Sequence, residues 1–179
     1  MLFVFIEHDE RNFHCWAYRY YLLERICPTT NVESFYEDEL TFLRSTIGLN
    51  QSNYSAWHYR SKYLEKFFAL DPSRHSALLL TEWQLVLNAV YTDISDQAAW
   101  FYARWLLFKQ LGRESISEEE HIKPLEELDE LEPKNKWCML ALCQLWKGNK
   151  EKDEKRKTYL EQLANQIDTD RAQFYRDQI

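Results

Sequence analysis

The chain is short of the residues that interrupt helices, with only 3 glycines and 4 prolines among 179 residues. So little glycine and proline leaves scant material for tight β-turns, and no run alternates apolar and polar residues as a half-buried strand would. There is no glycine-rich loop to cradle a phosphate, no Ser/His/Asp order in a supporting context and no Cys/His dyad. Four cysteines (Cys15, Cys27, Cys138, Cys143) form no Cys-x-x-Cys pair, and they read as buried free thiols in a reducing compartment. Basic charge is also in deficit: 22 Lys and Arg face 29 Asp and Glu, for a net charge of −7. That balance argues against a nucleic-acid backbone as partner. The one basic run, Lys147 to Lys157, is interleaved with Glu151, Asp153 and Glu154, as in a solvated loop and helix start. Long apolar runs are missing as well. Met1 to Ile6 is apolar but too short to span a membrane, and no basic segment precedes it. A cytoplasmic protein with no membrane span is expected.

What the chain has in quantity is aromatic residues, at 16%. Four tryptophans recur at steps of 41, 43 and 37 residues: Trp16, Trp57, Trp100 and Trp137. A period in this range signals an array of stacked supersecondary units. The first three stand in the same local context: Asn12-Phe-His-Cys-Trp16-Ala-Tyr18-Arg19, Asn53-Tyr-Ser-Ala-Trp57-His-Tyr59-Arg60 and Asp96-Gln-Ala-Ala-Trp100-Phe-Tyr102-Ala-Arg104. The fourth, Pro133-Lys-Asn-Lys-Trp137, is a weaker copy. Asn or Asp four residues before Trp is suited to cap a helix N-terminus. Leu23, Leu64 and Leu107 lie seven residues past the first three tryptophans, on the same helix face. The Tyr two residues after Trp points toward a neighbouring unit. Arg19 and Arg60 are placed to donate to the carbonyl end of an adjacent helix or to a carboxylate.

Second amphipathic stretches separate these helices: Phe35, Leu40, Leu43 and Ile47, then Leu78, Trp83, Leu87 and Val90, then Leu125, Leu128 and Leu131 after Pro124, and last Leu160, Leu163 and Ile167. Asp71-Pro72, Gly112 and Gly148 mark turns and loops. The expected fold is all-α: an α–α superhelix, or solenoid, of stacked antiparallel helical hairpins. It forms one helical-repeat domain over residues 1–179, with Trp16, Trp57, Trp100 and Trp137 in its core.

Candidates for chemistry are few. His8, His14 and Cys15 lie close together, but their spacing matches no helical pair of metal ligands and no fourth ligand is evident. His58 follows a core Trp and faces off its stripe, which suits a structural or interface role. Glu118 to Glu120 suit a helix start, where carboxylates oppose the helix dipole. No catalytic residue, metal or cofactor is expected in this chain. The residues at the starts of the motif helices are the expected partner interface: Asn12, His14, Arg19, Asn53, Tyr54, His58, Arg60, Asp96 and Arg104.

These motif blocks, with Leu128 through Glu132-Pro-Lys-Asn-Lys-Trp-Cys138, resemble the repeats of the protein prenyltransferase α subunits across nearly the whole chain. Within that family they are most similar to the type-2 branch, which serves Rab GTPases. The resemblance implies a crescent of hairpins wrapped around a β subunit. That β subunit holds the catalytic zinc, the isoprenoid diphosphate and the substrate cysteine, so the chain alone is expected to be inactive. It also implies transfer of geranylgeranyl from geranylgeranyl diphosphate to C-terminal cysteines of Rab GTPases, with a Rab escort protein docking partly on α-subunit helices. The alternatives are the α subunit shared by farnesyltransferase and type-1 geranylgeranyltransferase, and a non-enzymatic helical-repeat scaffold.

Against the family pattern, the sequence reads as lacking the first repeats, the immunoglobulin-like insertion and the leucine-rich repeats. The apolar Met1 to Ile6 is then expected to be an uncapped edge that the partner or further α residues cover. The family's diphosphate-reaching lysine stands five residues before an earlier Trp. Here that offset holds Arg11, Ser52, Ser95 and Glu132.

Overall fold

The computed structural model describes residues 12–27, 30–70, 72–107 and 117–179. Among them are nine α-helices and no strand: α1 (Phe13–Ile26), α2 (Val32–Leu49), α3 (Tyr54–Leu70), α4 (His75–Thr92), α5 (Gln97–Trp105), α6 (Lys123–Leu131), α7 (Lys136–Leu145), α8 (Asp153–Gln162) and α9 (Ala172–Arg176). Turns of π-helix at Glu118–Ile122 and Leu163–Ile167 lead into α6 and out of α8. The apolar edge expected at Met1 to Ile6 lies outside the described residues, as do His8, Arg11, Asp71 and Gly112.

The motif helices α1, α3 and α5 start where short polar side chains accept free first-turn N–H groups. Asn12 Oδ1 accepts from Cys15 N at 3.1 Å, Asn53 Oδ1 from Ala56 N at 3.0 Å and Asp96 Oδ1 from Ala98 N at 2.9 Å. The loops before the second and third caps share one design. Asn50 Oδ1 accepts from Ser52 N, and Asp93 Oδ1 from Ser95 N. The buried indoles of Trp57 and Trp100 then reach back six residues and donate Nε1 to the carbonyls of Gln51 and Ile94, each at 2.8 Å. One turn of sequence therefore fixes the loop, the cap and the core ring together.

The chain divides into two compact units, through Leu78 and from Leu79, with the division inside α4. In the first, α2 packs along α3, and Trp16, Leu43, Ile47, Trp57, Leu64 and Phe67 are each about 99% buried or more. In the second, Trp83, Val86, Leu106, Leu125, Leu142 and Trp146 are fully buried. Its far end is a cluster of Met139, Cys143, Leu160, Leu163, Ala164 and Tyr175. Arg156 ties that end together, donating Nε to Cys143 O at 3.1 Å and Nη2 to Gln178 O at 2.7 Å.

The fourth copy is out of step with its tryptophan. Its cap is Asn135, which accepts from Trp137 N and Cys138 N at 3.0 and 3.2 Å. Counted from caps, the repeat steps are 41, 43 and 39 residues. The residue four past Asn135 is Met139, which is 1% exposed, and eleven past it is Trp146, which is fully buried. Trp137, expected in the core with Trp16, Trp57 and Trp100, is only half-buried because it sits in the first turn, ahead of the core-facing position. Leu131, expected on the apolar stripe of α6, is 70% exposed at that helix's last turn, while Leu125 and Leu128 are buried. Leu64 and Leu107 are buried beneath their tryptophans and Leu23 is half-buried.

All four cysteines are free thiols. Cys138 and Cys143 are buried and their Sγ atoms point at the carbonyls of Leu125 and Arg156. Burial pushes both thiols up, Cys143 to about 12, so both stay protonated at neutral pH. A thiol reagent at neutral pH is expected to modify Cys15 and Cys27 in the native chain and the other two only in denaturant, as read by mass spectrometry. For the core, Trp57→Ala should lower unfolding stability by about 3–5 kcal/mol. Trp137→Ala should cost clearly less than Met139→Ala costs, measured by urea unfolding followed by circular dichroism.

Candidate partner-binding site

Most residues expected at an interface are engaged within the chain. Asn12, Asn53 and Asp96 are the caps just described. Arg19 is 6% exposed and grips Glu39 with two bonds, Nη1 to Oε2 at 2.5 Å and Nη2 to Oε1 at 3.0 Å, its guanidinium 4.3 Å from the centre of the Phe42 ring. Arg60, 4% exposed, donates Nη1 to Leu40 O at 2.5 Å. Both arginines therefore line the interior rather than a surface. An arginine buried this deeply needs an internal acceptor, and α2 offers one on each of two adjacent residues. In the third copy the corresponding inward bond is made by Tyr102, whose hydroxyl donates to the buried Glu82 at 2.6 Å. Arg104 faces outward. Glu39 and Glu82 went unrecognised in the sequence because nothing local separates them from surface carboxylates.

The exposed members of the expected set are His14, Tyr54, His58 and Arg104. Tyr54 and His58 stack one turn apart, with centroids 6.2 Å apart and planes 7° off parallel. Desolvation and then Lys62 hold the His58 pKa below its ordinary value, so the ring is neutral at pH 7. It offers a flat polar surface. Among the described residues, no group of three or more His, Cys, Asp or Glu side chains converges as a set of metal ligands.

A feature with the shape of a binding site lies between α5 and α7. An apolar groove enclosing about 350 Å³, part of it open to solvent, runs over Trp100, Leu107 and Ala141. Phe101 and Trp137 wall it, with ring centroids 5.5 Å apart and planes at 64°. Arg104 and Gln144 supply its polar atoms. The pair α1/α3 explains why it exists. There the residue six past the cap of α3, Tyr59, stacks on Trp16 at 5.8 Å with planes 10° apart. Six past the cap of α7 is Ala141. Ala141 brings no ring to that position, and the groove lies there, with Trp100 itself only 3% exposed. Aligning the copies on their caps would have revealed this alanine; aligning them on tryptophan hides it. The same realignment moves the fourth copy's residue at the family's lysine offset from Glu132 to Lys134, which is exposed with a left-handed φ of 67°.

The protein prenyltransferase alpha subunit repeat matches residues 2–26, 36–67 and 79–110. Geranylgeranyl transferase type-2 subunit alpha of Saccharomyces cerevisiae is 32% identical over 179 residues, covering 92% of this chain and 54% of that protein. Its counterpart in Schizosaccharomyces pombe is 34% identical over 195 residues, covering 94% of this chain and 56% of the relative. The human protein of that name is 45% identical over 108 residues, or 58% of this chain and 18% of its own length. The chain thus spans little more than half of the fungal relatives. It joins their repeat signature to a cap-and-indole helix start repeated along its length, and it belongs to the protein prenyltransferase α-subunit repeat family.

Proposed function

We propose that this chain acts as the α subunit of a Rab geranylgeranyltransferase heterodimer in the cytoplasm. The observation that carries this reading is similarity to type-2 α subunits over more than nine-tenths of the chain. In this role the chain is a platform: it pairs with a β subunit and supports transfer of geranylgeranyl to C-terminal Rab cysteines. The zinc that makes the substrate thiolate and the site for the isoprenoid diphosphate belong to β. The thiols of Cys138 and Cys143 do not suit that task, since burial keeps them protonated. Among the described residues no helix is long and apolar enough to cross a membrane, which fits a subunit that works in solution.

The groove over Trp100 is the surface we assign to the escort protein. An apolar slot with an aromatic floor, an aromatic wall and an arginine at its edge suits a flat side chain from a partner. The same fold supplies such a ring for itself when Tyr59 covers Trp16. Buried aromatic anchors of this kind carry much of an interface's energy.

Co-expression with a type-2 β subunit is expected to give a stable heterodimer that prenylates a Rab in the presence of its escort, while the chain alone gives no transfer. Absence of β pairing would favour the scaffold reading, and pairing only with a farnesyltransferase-type β subunit would favour the other branch of the family. Ala141→Tyr, which restores the repeat's own ring, is expected to leave β pairing intact. It should weaken escort binding by roughly tenfold or more, equivalent to about 1.4 kcal/mol, read by titration of the heterodimer with escort protein. Unchanged escort affinity would refute the assignment of the groove.

A further inference from the structure

The π-helical turn Glu118–Ile122 leads directly into α6 and carries three exposed carboxylates, Glu118, Glu119 and Glu120. Its buried residues are the last two, His121 and Ile122, at 2% and 5% exposure. Half of the turn's anchorage is therefore a titratable ring. His121 Nδ1 accepts the backbone N–H of Ser117 at 3.2 Å. That bond occupies the Nδ1 lone pair and leaves the ring's one proton on Nε2, the neutral tautomer. Among the described residues Nε2 is buried with no hydrogen-bond partner, as is Nε1 of Trp83. The two rings stack, with centroids 5.6 Å apart and planes at 28°. Ring contact thus joins the turn to α4 at this point.

A second proton has no place in this arrangement. It would set an Nδ1–H against the Ser117 N–H, donor to donor, and would bury a cation whose Nε2–H meets no acceptor. The face of Trp83 attracts a cation, but stacking satisfies neither N–H. Burial accordingly holds the His121 pKa below the ordinary 6.5, and the charge of Glu120 opposes that shift. The other titratable groups on the surrounding helices have partners of their own. Glu82 on α4 accepts from Tyr102, and Glu126 and Asp129 on α6 accept from Lys152 and Tyr159. Lys123 pairs with Glu119, and the Cys138 and Cys143 thiols on α7 point at the carbonyls of Leu125 and Arg156.

We infer that Ser117–Ile122 is an acid-released latch: neutral His121 holds the turn, and the start of α6 behind it, against Trp83, and protonation of the ring lets the turn go. The open turn binds a proton that the closed turn excludes. Opening therefore grows as pH falls below about 6.5 and is indifferent to pH above it. Release uncovers the Trp83 ring, which is fully buried while the latch is closed. The latch is independent of the groove and of the chain's partners.

Amide exchange of the full chain at pH 7.5 and 5.5, corrected for intrinsic rates, tests it. Opening across residues 118–122 is expected to rise by up to about tenfold at the lower pH, the ratio allowed by an open-state pKa near 6.5. Exchange across α7 should stay unchanged. Carboxylates ordinarily titrate near about 4 and contribute little over this interval. In His121→Asn the side-chain oxygen can take the Ser117 N–H but no proton is gained, so the rise should vanish. No rise in the native chain, an equal rise along α7, or an equal rise in the variant overturns the inference. Should the variant fail to fold, a nitrogen-15 NMR titration of the histidine rings in the unmodified chain decides. A His121 ring that stays neutral until the turn opens supports the latch, and one that charges at pH 6.5 or above with the turn still protected overturns it.

Discussion

A helix start that buries its own tryptophan governs the rest of this protein. A short polar side chain takes up N–H groups that the first turn leaves free, worth about 1 kcal/mol. Four residues on, an indole turns inward. At Trp57 and Trp100 its Nε1 closes back onto the loop carbonyl six residues before it. The bond answers the one polar atom of a side chain whose remaining surface is apolar, so a large ring enters the core without stranding a donor. Ile94 O accepts both the Trp100 indole and, at 3.3 Å, the Asn135 side chain of the next copy. The helix start of one copy is thereby held to the cap of its neighbour.

Polar groups inside the hairpins set register where apolar contacts alone would permit sliding. Arg19 from α1 and Arg60 from α3 reach α2 at the adjacent residues Glu39 and Leu40, one through a carboxylate and the other through a carbonyl. A buried guanidinium without an acceptor would cost several kcal/mol, so a shift of α2 by one residue is disfavoured far more strongly than loss of packing would dictate. Such a pair adds little net stability over an apolar substitute. Its effect is on which arrangement forms. Tyr102 and Glu82 make a hydroxyl-to-carboxyl version of the same connection in the second unit.

The groove comes from a packing contact made between one pair of motif helices and not between another. Where the position six past the cap holds alanine, as at Ala141, the tryptophan of the preceding motif helix keeps an open groove above it. The groove is a place where a partner can complete packing that the chain leaves unfinished.

The sequence by itself determined the helical class, the hairpin period and the first three caps, because helix capping and apolar periodicity are local and act within a few residues. It also determined the family, since Asn/Asp, Trp, Tyr and Arg at fixed offsets are a property of the string. Only the tertiary structure decided that Arg19 and Arg60 point inward, because their acceptors lie 20 residues away in sequence. It alone decided that Asn135 and not Pro133 starts the fourth motif helix, which moves Met139 and Trp146 into the core and leaves Trp137 at the wall of the groove. Caps compete with one another over a span of two residues, and burial of one ring or another resolves the competition. A groove formed where a side chain is small has no letter of its own in the sequence, and it comes into being only when a neighbouring helix brings its rings beside that position.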